Sequence, residues 1–358
     1  MNTKTNFDAA KAEAFEGRIV EMLNLGSLAL MTSLGHRTGL FDVMAGLPPS
    51  TSEEIARTAG LNERYVREWL GALTTARIIE HQTQDKTYSL PPEHGACLTR
   101  KSAPNNLAAF TQYIAVLGAV EDEVLEAFKH GAGVPYSSYK RFHEVMAEDS
   151  GQTVVAALND FILPLIPDVS ENLARGIDVV DIGCGSGRAV TLLAENFPKS
   201  RFIGLDISEE AIGTAREAAV QKGLGNAEFA VQDTSESFAR DKYGLVTAFD
   251  AIHDQAKPQE VLQNVYEALT PGGTFLMQDI AASSDVANNM DHPIAPFLYT
   301  ISCMHCMSVS LAGGGPGLGA MWGQEKALAM LQEAGFADIR VEQLSHDIQN
   351  FYYITKKP

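Results

Sequence analysis

The spacing of apolar residues changes near residue 178 and divides the sequence into two regimes. Before that point the period is helical. From about Ala14 to Gly35 the apolar positions, Phe15, Ile19, Val20, Leu23 and Leu30 among them, leave little polar surface. A helix apolar on nearly every side is buried in a core or in a subunit interface. Between Ser50 and Leu90 two short helices are predicted, separated by Gly60, the second capped by Asn62 with Val66, Leu70 and Leu73 on one face. Ile78-Ile79 and Tyr88-Ser89-Leu90 then flank a polar tip, as in a hairpin. Asn105 to Lys129 is helical by the spacing of Phe110, Tyr113, Leu117, Val120 and Val124, and Thr153 to Leu165 reads as a further helix. After residue 178, short apolar runs alternate with helical stretches. The runs are Asp178–Ile182, Arg201–Leu205, Glu228–Val231, Leu245–Phe249 and Thr274–Gln278, followed by Asp338–Glu342 and Asn350–Thr355. Such alternation predicts a doubly wound α/β sheet.

The two helices and hairpin of Ser50–Leu90 resemble a winged helix-turn-helix. Read as a DNA binder, that stretch needs a basic face. It carries five Lys/Arg against six Asp/Glu, and the whole chain of 358 residues has a net charge of −18. The charge argues for a structural module and against nucleic-acid or anionic-membrane partners. Four cysteines in a chain of this length make no disulfide framework, which fits a reducing compartment. The first fifteen residues lack the apolar centre of a signal peptide, and no run reads as a membrane span. A cytoplasmic protein is expected.

The first strand of the second regime ends in Asp181-Ile182-Gly183-Cys184-Gly185-Ser186-Gly187-Arg188. A dinucleotide fingerprint needs a third small residue at the place of Arg188, which is too large. The spacing is D-x-G-x-G-x-G instead, and Asp181 would repel a pyrophosphate but suit a cationic ligand. The stretch resembles motif I of class I S-adenosylmethionine-dependent methyltransferases. The strand–helix alternation and the closing strand pair after Gly335-Phe336 extend that resemblance over about Asp178 to Lys357. The amino-terminal module shares it more loosely.

The resemblance implies a cofactor, S-adenosylmethionine, and places it on the carboxyl edge of the sheet, where open α/β sheets bind ligands. Asp181 matches the position facing the methionine ammonium, with the turn Gly183, Cys184, Gly185 and Gly187 beside it. Asp206 ends the second strand and matches the carboxylate on the ribose hydroxyls, with Ile207 next to it. Gln232, Asp233 and Thr234 follow the third strand and match the adenine side. Asp250 ends the fourth strand at the rim of the methionine site. In small-molecule O-methyltransferases the loop after that strand often carries a His-Asp pair, with the histidine as general base. His253-Asp254 stands there, although Gln255 replaces the tryptophan of plant-type enzymes. Read as structural residues, lone aspartates in loops are merely solvated. Four at successive strand ends are better explained by a ligand.

An insertion from about Ala281 to Trp322 interrupts the pattern. It holds a predicted helix, Pro296 to Leu311, with Cys303-Met304-His305-Cys306, then a glycine-rich break and Met321-Trp322-Gly323. On a helix Cys303 and His305 point about 200° apart, which excludes their chelating one ion together. His305 is instead expected to line or orient a substrate, with Asp254 and Tyr113 as further substrate contacts. A pairing of His305 with His253 and either Asp254 or Asp250 would resemble a 2-His-1-carboxylate iron site and point to C-methylation of a keto acid. The whole pattern is most similar to a bacterial group of regulator-like winged-helix methyltransferases. The expected organisation is a helical, winged-helix dimerisation domain over residues 1–145 and a methyltransferase domain over 146–358, with a lid at about 281–322. The expected activity is methyl transfer to a small aromatic or apolar metabolite. Metal-assisted C-methylation and an S-adenosylmethionine-responsive DNA-binding regulator are the alternatives.

Overall fold

The computed structural model describes residues 7–345 and 347–358. The first six of the fifteen residues read for a signal peptide therefore lie outside the described residues. Backbone proximity groups the chain into two compact units, Met1–Ala115 and Val116–Pro358.

In the first unit one helix runs from Ala9 to Thr38, longer than the predicted stretch at both ends because Asp8 caps it and Gly39 closes it in the left-handed conformation. Short helices follow at Leu40–Ala45, Ser52–Ala59 and Glu63–Thr75. Thr51 and Glu54 form a capping box at the start of Ser52–Ala59. Strands β1 (Glu80–Gln82) and β2 (Thr87–Ser89) pair antiparallel as the wing. Phe41, Ile55, Val66, Trp69, Leu70 and Leu73 make the core of this module. The long helix is not buried in that core. Its buried residues are Thr32, Ser33, Gly35 and His36, while Phe15 is 58% and Leu23 71% exposed.

The second unit contains a seven-stranded sheet. Its strands are β3 (Asp178–Ile182), β4 (Arg201–Asp206), β5 (Ala227–Val231), β6 (Tyr243–Phe249), β7 (Leu269–Ile280), β8 (Ala337–Glu342) and β9 (Asn350–Lys356). Their order is β5-β4-β3-β6-β7-β9-β8, parallel through β7, with β9 antiparallel to both neighbours. Successive strand residues face opposite sides, and each side has its own core. Val179, Leu245, Leu276 and Ile354 pack with the helices Arg188–Asn196 and Glu209–Gln221 on one face. Val180, Val246, Phe275 and Tyr353 pack with the helices Pro258–Ala268 and Gly323–Glu333 on the other.

Further elements depart from the sequence pattern. The predicted helical stretch Asn105 to Lys129 is a 3-10 turn, Ala109–Thr111, and two helices, Gln112–Gly118 and Glu121–His130. Strand β7 extends past the predicted Thr274–Gln278 at both ends: Leu269 pairs with Tyr243 of β6, and Asp279 and Ile280 pair with Phe351 and Asn350 of β9. Thr153–Leu165 is not one α-helix but two π-turns, Gly151–Val155 and Leu158–Ile162, and a 3-10 turn. The predicted helix at 296–311 is three pieces: Ala295–Ile301, a π-turn at Ser302–Cys306, and Met307–Ala312. That combined stretch, Ala295–Ala312, is long and apolar enough to cross a membrane by length and composition, against the expectation of no such run. It is 44% buried within this unit, with Ser302, His305, Ser308 and Ser310 among the buried residues.

Candidate active site

The carboxyl edge of the parallel strands carries the predicted residues. At the end of β3 the turn is held open by glycine. Gly183 and Gly187 have φ of 66° and 70°, in the left-handed region that suits glycine. A Cβ on Gly183 would come 2.4 Å from Ala251 Cβ, and one on Gly187 2.3 Å from the Phe229 ring. A Cβ on Gly185 would meet nothing within 4 Å, so that backbone faces open space at the helix N-terminus.

Around this turn the acidic residues take different environments. Asp181 is buried, and Thr247, its lateral neighbour on β6, donates to it at 2.6 Å. Burial pushes the Asp181 carboxyl up to about 7, with the Thr247 hydrogen bond opposing and Asp206 adding to the rise. Asp206 accepts from the backbone N–H of Gly185 at 2.9 Å and of Ser208 at 2.8 Å, which ties the end of β4 to the glycine turn. Ile207 beside it is 61% exposed, an apolar side chain with no core to fill. After β5, Gln232 is half-buried, Asp233 is exposed and accepts from Ser235 N–H, and Thr234 is buried. Burial, then the charges of Asp181 and Asp206, push the Cys184 thiol up.

This donor set fits S-adenosylmethionine. An ammonium and a sulfonium need carboxylates, a ribose diol needs a bidentate acceptor, and an adenine needs an apolar cover with polar groups at its rim. Asp181 and Asp250, Asp206, Ile207 and Asp233 offer these in order along the edge. Asp250 has φ of 49°, and its Oδ1 is buried with no hydrogen-bond partner among the described residues. Burial, then the Asp279 charge, push its carboxyl well up. An orphaned buried oxygen of this kind is costly unless a ligand satisfies it.

His253 is buried, and its Nδ1 lies 2.8 Å from Asp279 Oδ1. This corrects the sequence pairing with Asp254. Strand register explains the exchange: Phe249 pairs with Gln278 and Asp250 N–H donates to Gln278 O, so Asp279 lies abreast of the loop that carries His253. The same Asp279 oxygen also accepts from Trp322 Nε1 at 2.9 Å and Ile280 N–H at 2.8 Å. Burial alone would lower the His253 imidazole. The Asp279 carboxylate outweighs it, and Cys306 adds to the effect, so His253 is held well above its ordinary value. Asp254 is a separate group. Burial pushes its carboxyl up to about 6, against the His253 charge.

His305 sits in the π-turn, 1% exposed, and neither ring nitrogen has a hydrogen-bond partner among the described residues. Burial, then His253 and His143, lower it well below its ordinary value. Among the described residues it does not complete a chelating set with His253, and the group whose ligand atoms come within 4.8 Å of one another is Asp250, His253 and Asp279. Rings from the segment before the sheet surround His305: Phe142 stacks on it at 3.5 Å, with Tyr139 at 4.6 Å and Tyr136 at 5.2 Å edge-on. Tyr113 is a fully buried ring of the first unit. The sequence reading missed Asp279, Thr247, Tyr136 and Tyr139. Asp279 had a signal, since it closes a strand on the ligand edge as the other aspartates do.

A seven-stranded sheet in this order, with a glycine turn and an acidic residue at the end of each central strand, is the class I methyltransferase fold. Residues 26–100 match the model of an Rv2258c-like winged HTH domain, and residues 173–335 match that of a methyltransferase domain. Trans-aconitate 2-methyltransferase of Variovorax paradoxus (strain S110) is 33% identical over 107 residues, 30% of this chain and 39% of that enzyme. The chain thus spans less than half the length of this curated relative. Among solved structures, human N-acetylserotonin methyltransferase in complex with S-adenosylmethionine superposes with a TM-score of 0.70 at 15% identity, covering 99% of both chains. An O-methyltransferase from neocarzinostatin biosynthesis, in complex with S-adenosyl-L-homocysteine and 1,4-dihydroxy-2-naphthoic acid, gives 0.62 at 16% identity over 92% of this chain and 96% of that one. At these identities the likeness is one of fold.

Proposed function

We propose that this protein transfers the methyl group of S-adenosylmethionine to a small aromatic or otherwise apolar acceptor, with His253 as general base. The observation that carries the proposal is the buried His253–Asp279 pair on the same sheet edge as the glycine turn and its acidic residues. When bound, the cofactor supplies an electrophilic methyl on a sulfonium, which an acceptor attacks in line. The residues do the rest. Asp206 takes the ribose hydroxyls, Asp181 and Asp250 the methionine end, and Ile207, Gln232, Asp233 and Thr234 the adenine side. Asp279 fixes His253 through Nδ1, so Nε2 is the atom that accepts the acceptor's proton as its oxygen bonds to the methyl carbon. His305 and Asp254 contact the acceptor, and the rings around His305 exclude water. The test is methyl transfer to a panel of phenols alongside calorimetry with S-adenosylhomocysteine. In the expected result the protein binds S-adenosylhomocysteine and methylates a phenol, and His253→Ala keeps the first and loses the second. Absence of binding in the wild type would sink the reading.

We also propose that residues 1–145 serve dimerisation rather than DNA binding. On the second winged-helix helix, Arg64 pairs with Glu68 and Arg67 with Glu63, so the cations that phosphates would need are already engaged. The exposed apolar side chains of Ala9–Thr38 fit a second copy of this chain. Light scattering should return a dimer for the wild type and a folded monomer for the double variant Val20→Glu, Leu23→Glu. A wild-type monomer at micromolar concentration would refute this.

A further inference from the structure

The π-turn at Ser302–Cys306 and the aromatic segment before the sheet are joined around His305. A π-turn inserts one residue into a helix and leaves a carbonyl without its usual partner. Here the partner comes from outside the helix: the Tyr139 hydroxyl donates to Met304 O at 2.6 Å, at the residue immediately before His305. The same tyrosine sets its ring edge-on to the imidazole, centroids 4.6 Å apart at 73°, while Phe142 lies flat against it at 7°. Tyr139 therefore holds His305 by its backbone and by its ring.

The attachment continues on both sides of this contact. Val134 N–H donates to Ser308 Oγ at 2.8 Å, one turn further along the helix. A Cβ on Gly133 would come 2.0 Å from Ser308 O, so only glycine allows the segment to lie this close. Further along the segment, Tyr136 stacks on His143, whose Nε2 lies 3.2 Å from Ser208 Oγ. Ser208 is the residue whose N–H is tied to Asp206. One segment thus runs from the end of β4 to the π-turn.

A buried imidazole with both nitrogens unsatisfied gains nothing for the fold and would swing toward any partner it could reach. It stays because its surroundings hold it. We propose that Tyr139 is a positioning residue, which fixes the π-turn so that the His305 imidazole keeps one orientation with its nitrogens free for the acceptor. This rests on the reading of His305 as an acceptor contact, and its test uses no acceptor.

The experiment is aromatic and imidazole NMR on histidine-labelled full-length protein with S-adenosylhomocysteine bound. His305 is assigned by the signal lost in His305→Gln. In the wild type its ring protons form one sharp set, displaced upfield by the stacked Phe142 ring. In Tyr139→Phe, which keeps the ring and removes the hydroxyl, that set should broaden or split and move back toward the unstacked position, with the melting temperature nearly unchanged. Tyr353→Phe is the control. It also removes a buried hydroxyl, one without a partner among the described residues, but on β9, and should leave the His305 signals in place. If Tyr139→Phe fails to fold, Ser308→Ala loosens the same attachment one turn away and should move the His305 signals in the same direction. His305 signals in the folded variant that superpose on the wild type overturn the proposal. A failure of the acceptor reading would look different: His305→Gln would then turn over an identified acceptor at the wild-type rate, whatever the NMR of Tyr139→Phe.

Discussion

Asp279→Asn should lower methyl transfer by about 10²–10⁴-fold, the range that a positioned general base contributes, while S-adenosylhomocysteine still binds within about threefold. The substitution is nearly isosteric and removes a charge. Trp322 Nε1–H and Ile280 N–H both donate into Asp279 Oδ1, the same oxygen that faces His253 Nδ1. An asparagine will turn its carbonyl oxygen to those two fixed donors. That oxygen also keeps its place beside Nδ1, and the amide nitrogen replaces Oδ2, which has no partner among the described residues. What the imidazole loses is the carboxylate charge. In the wild type, the Asp279 carboxylate overrides burial and holds His253 above its ordinary value of 6.5. A base raised in this way is protonated until the pH passes that raised value, so the wild-type rate should climb with pH through a limb above 6.5. In the variant burial is unopposed, and the limb should move to lower pH as the plateau falls. A variant with the wild-type rate and the wild-type limb would remove Asp279, and with it the His253 base, from the mechanism.

The exchange of Asp254 for Asp279 shows where the sequence stops being informative. Asp181, Asp206, Asp233 and Asp250 were legible because each follows a short apolar run, and parallel strands present their carboxyl ends on one edge. Asp279 obeys the same rule but is followed by Ile280 and continues the β9 ladder, so its strand has no visible end in the pattern. Adjacency in sequence favoured Asp254, whereas the partner is chosen by the register between β6 and β7, a relation between residues 26 apart. The π-turn was hidden for a related reason. One extra residue in a helix barely disturbs the apolar period, and the hydroxyl that stabilises the turn comes from Tyr139, 165 residues away from its acceptor. The long amino-terminal helix is the converse case. Its apolar surface was plain in the sequence, but the pattern alone left core and interface equally open, and the first unit's own core leaves most of that surface uncovered.

Asp206→Ala should cost more than about a hundredfold in S-adenosylhomocysteine affinity by calorimetry, about 3 kcal/mol for two charge-assisted hydrogen bonds. The position is sensitive for two reasons that act together. The carboxylate is the acceptor proposed for the ribose hydroxyls, and an alanine there leaves those hydroxyls facing a site with no acceptor of the right reach. Asp206 also accepts from Gly185 N–H and Ser208 N–H, and through them joins the glycine turn to the cap of Glu209–Gln221. Without it the turn is released at the residue whose backbone faces open space. Asp206→Asn separates the two contributions, because its carbonyl oxygen can keep one of the backbone N–H bonds. It should recover part of the affinity, with the remaining loss assigned to the missing charge. Asp233→Ala, at an exposed side chain on the adenine side, should cost about 1 kcal/mol. Equal losses at Asp206 and Asp233 would contradict the ordering of ribose and adenine along this edge. Wild-type affinity in Asp206→Ala would place the cofactor elsewhere and leave the glycine turn as a purely structural link between β3 and its helix.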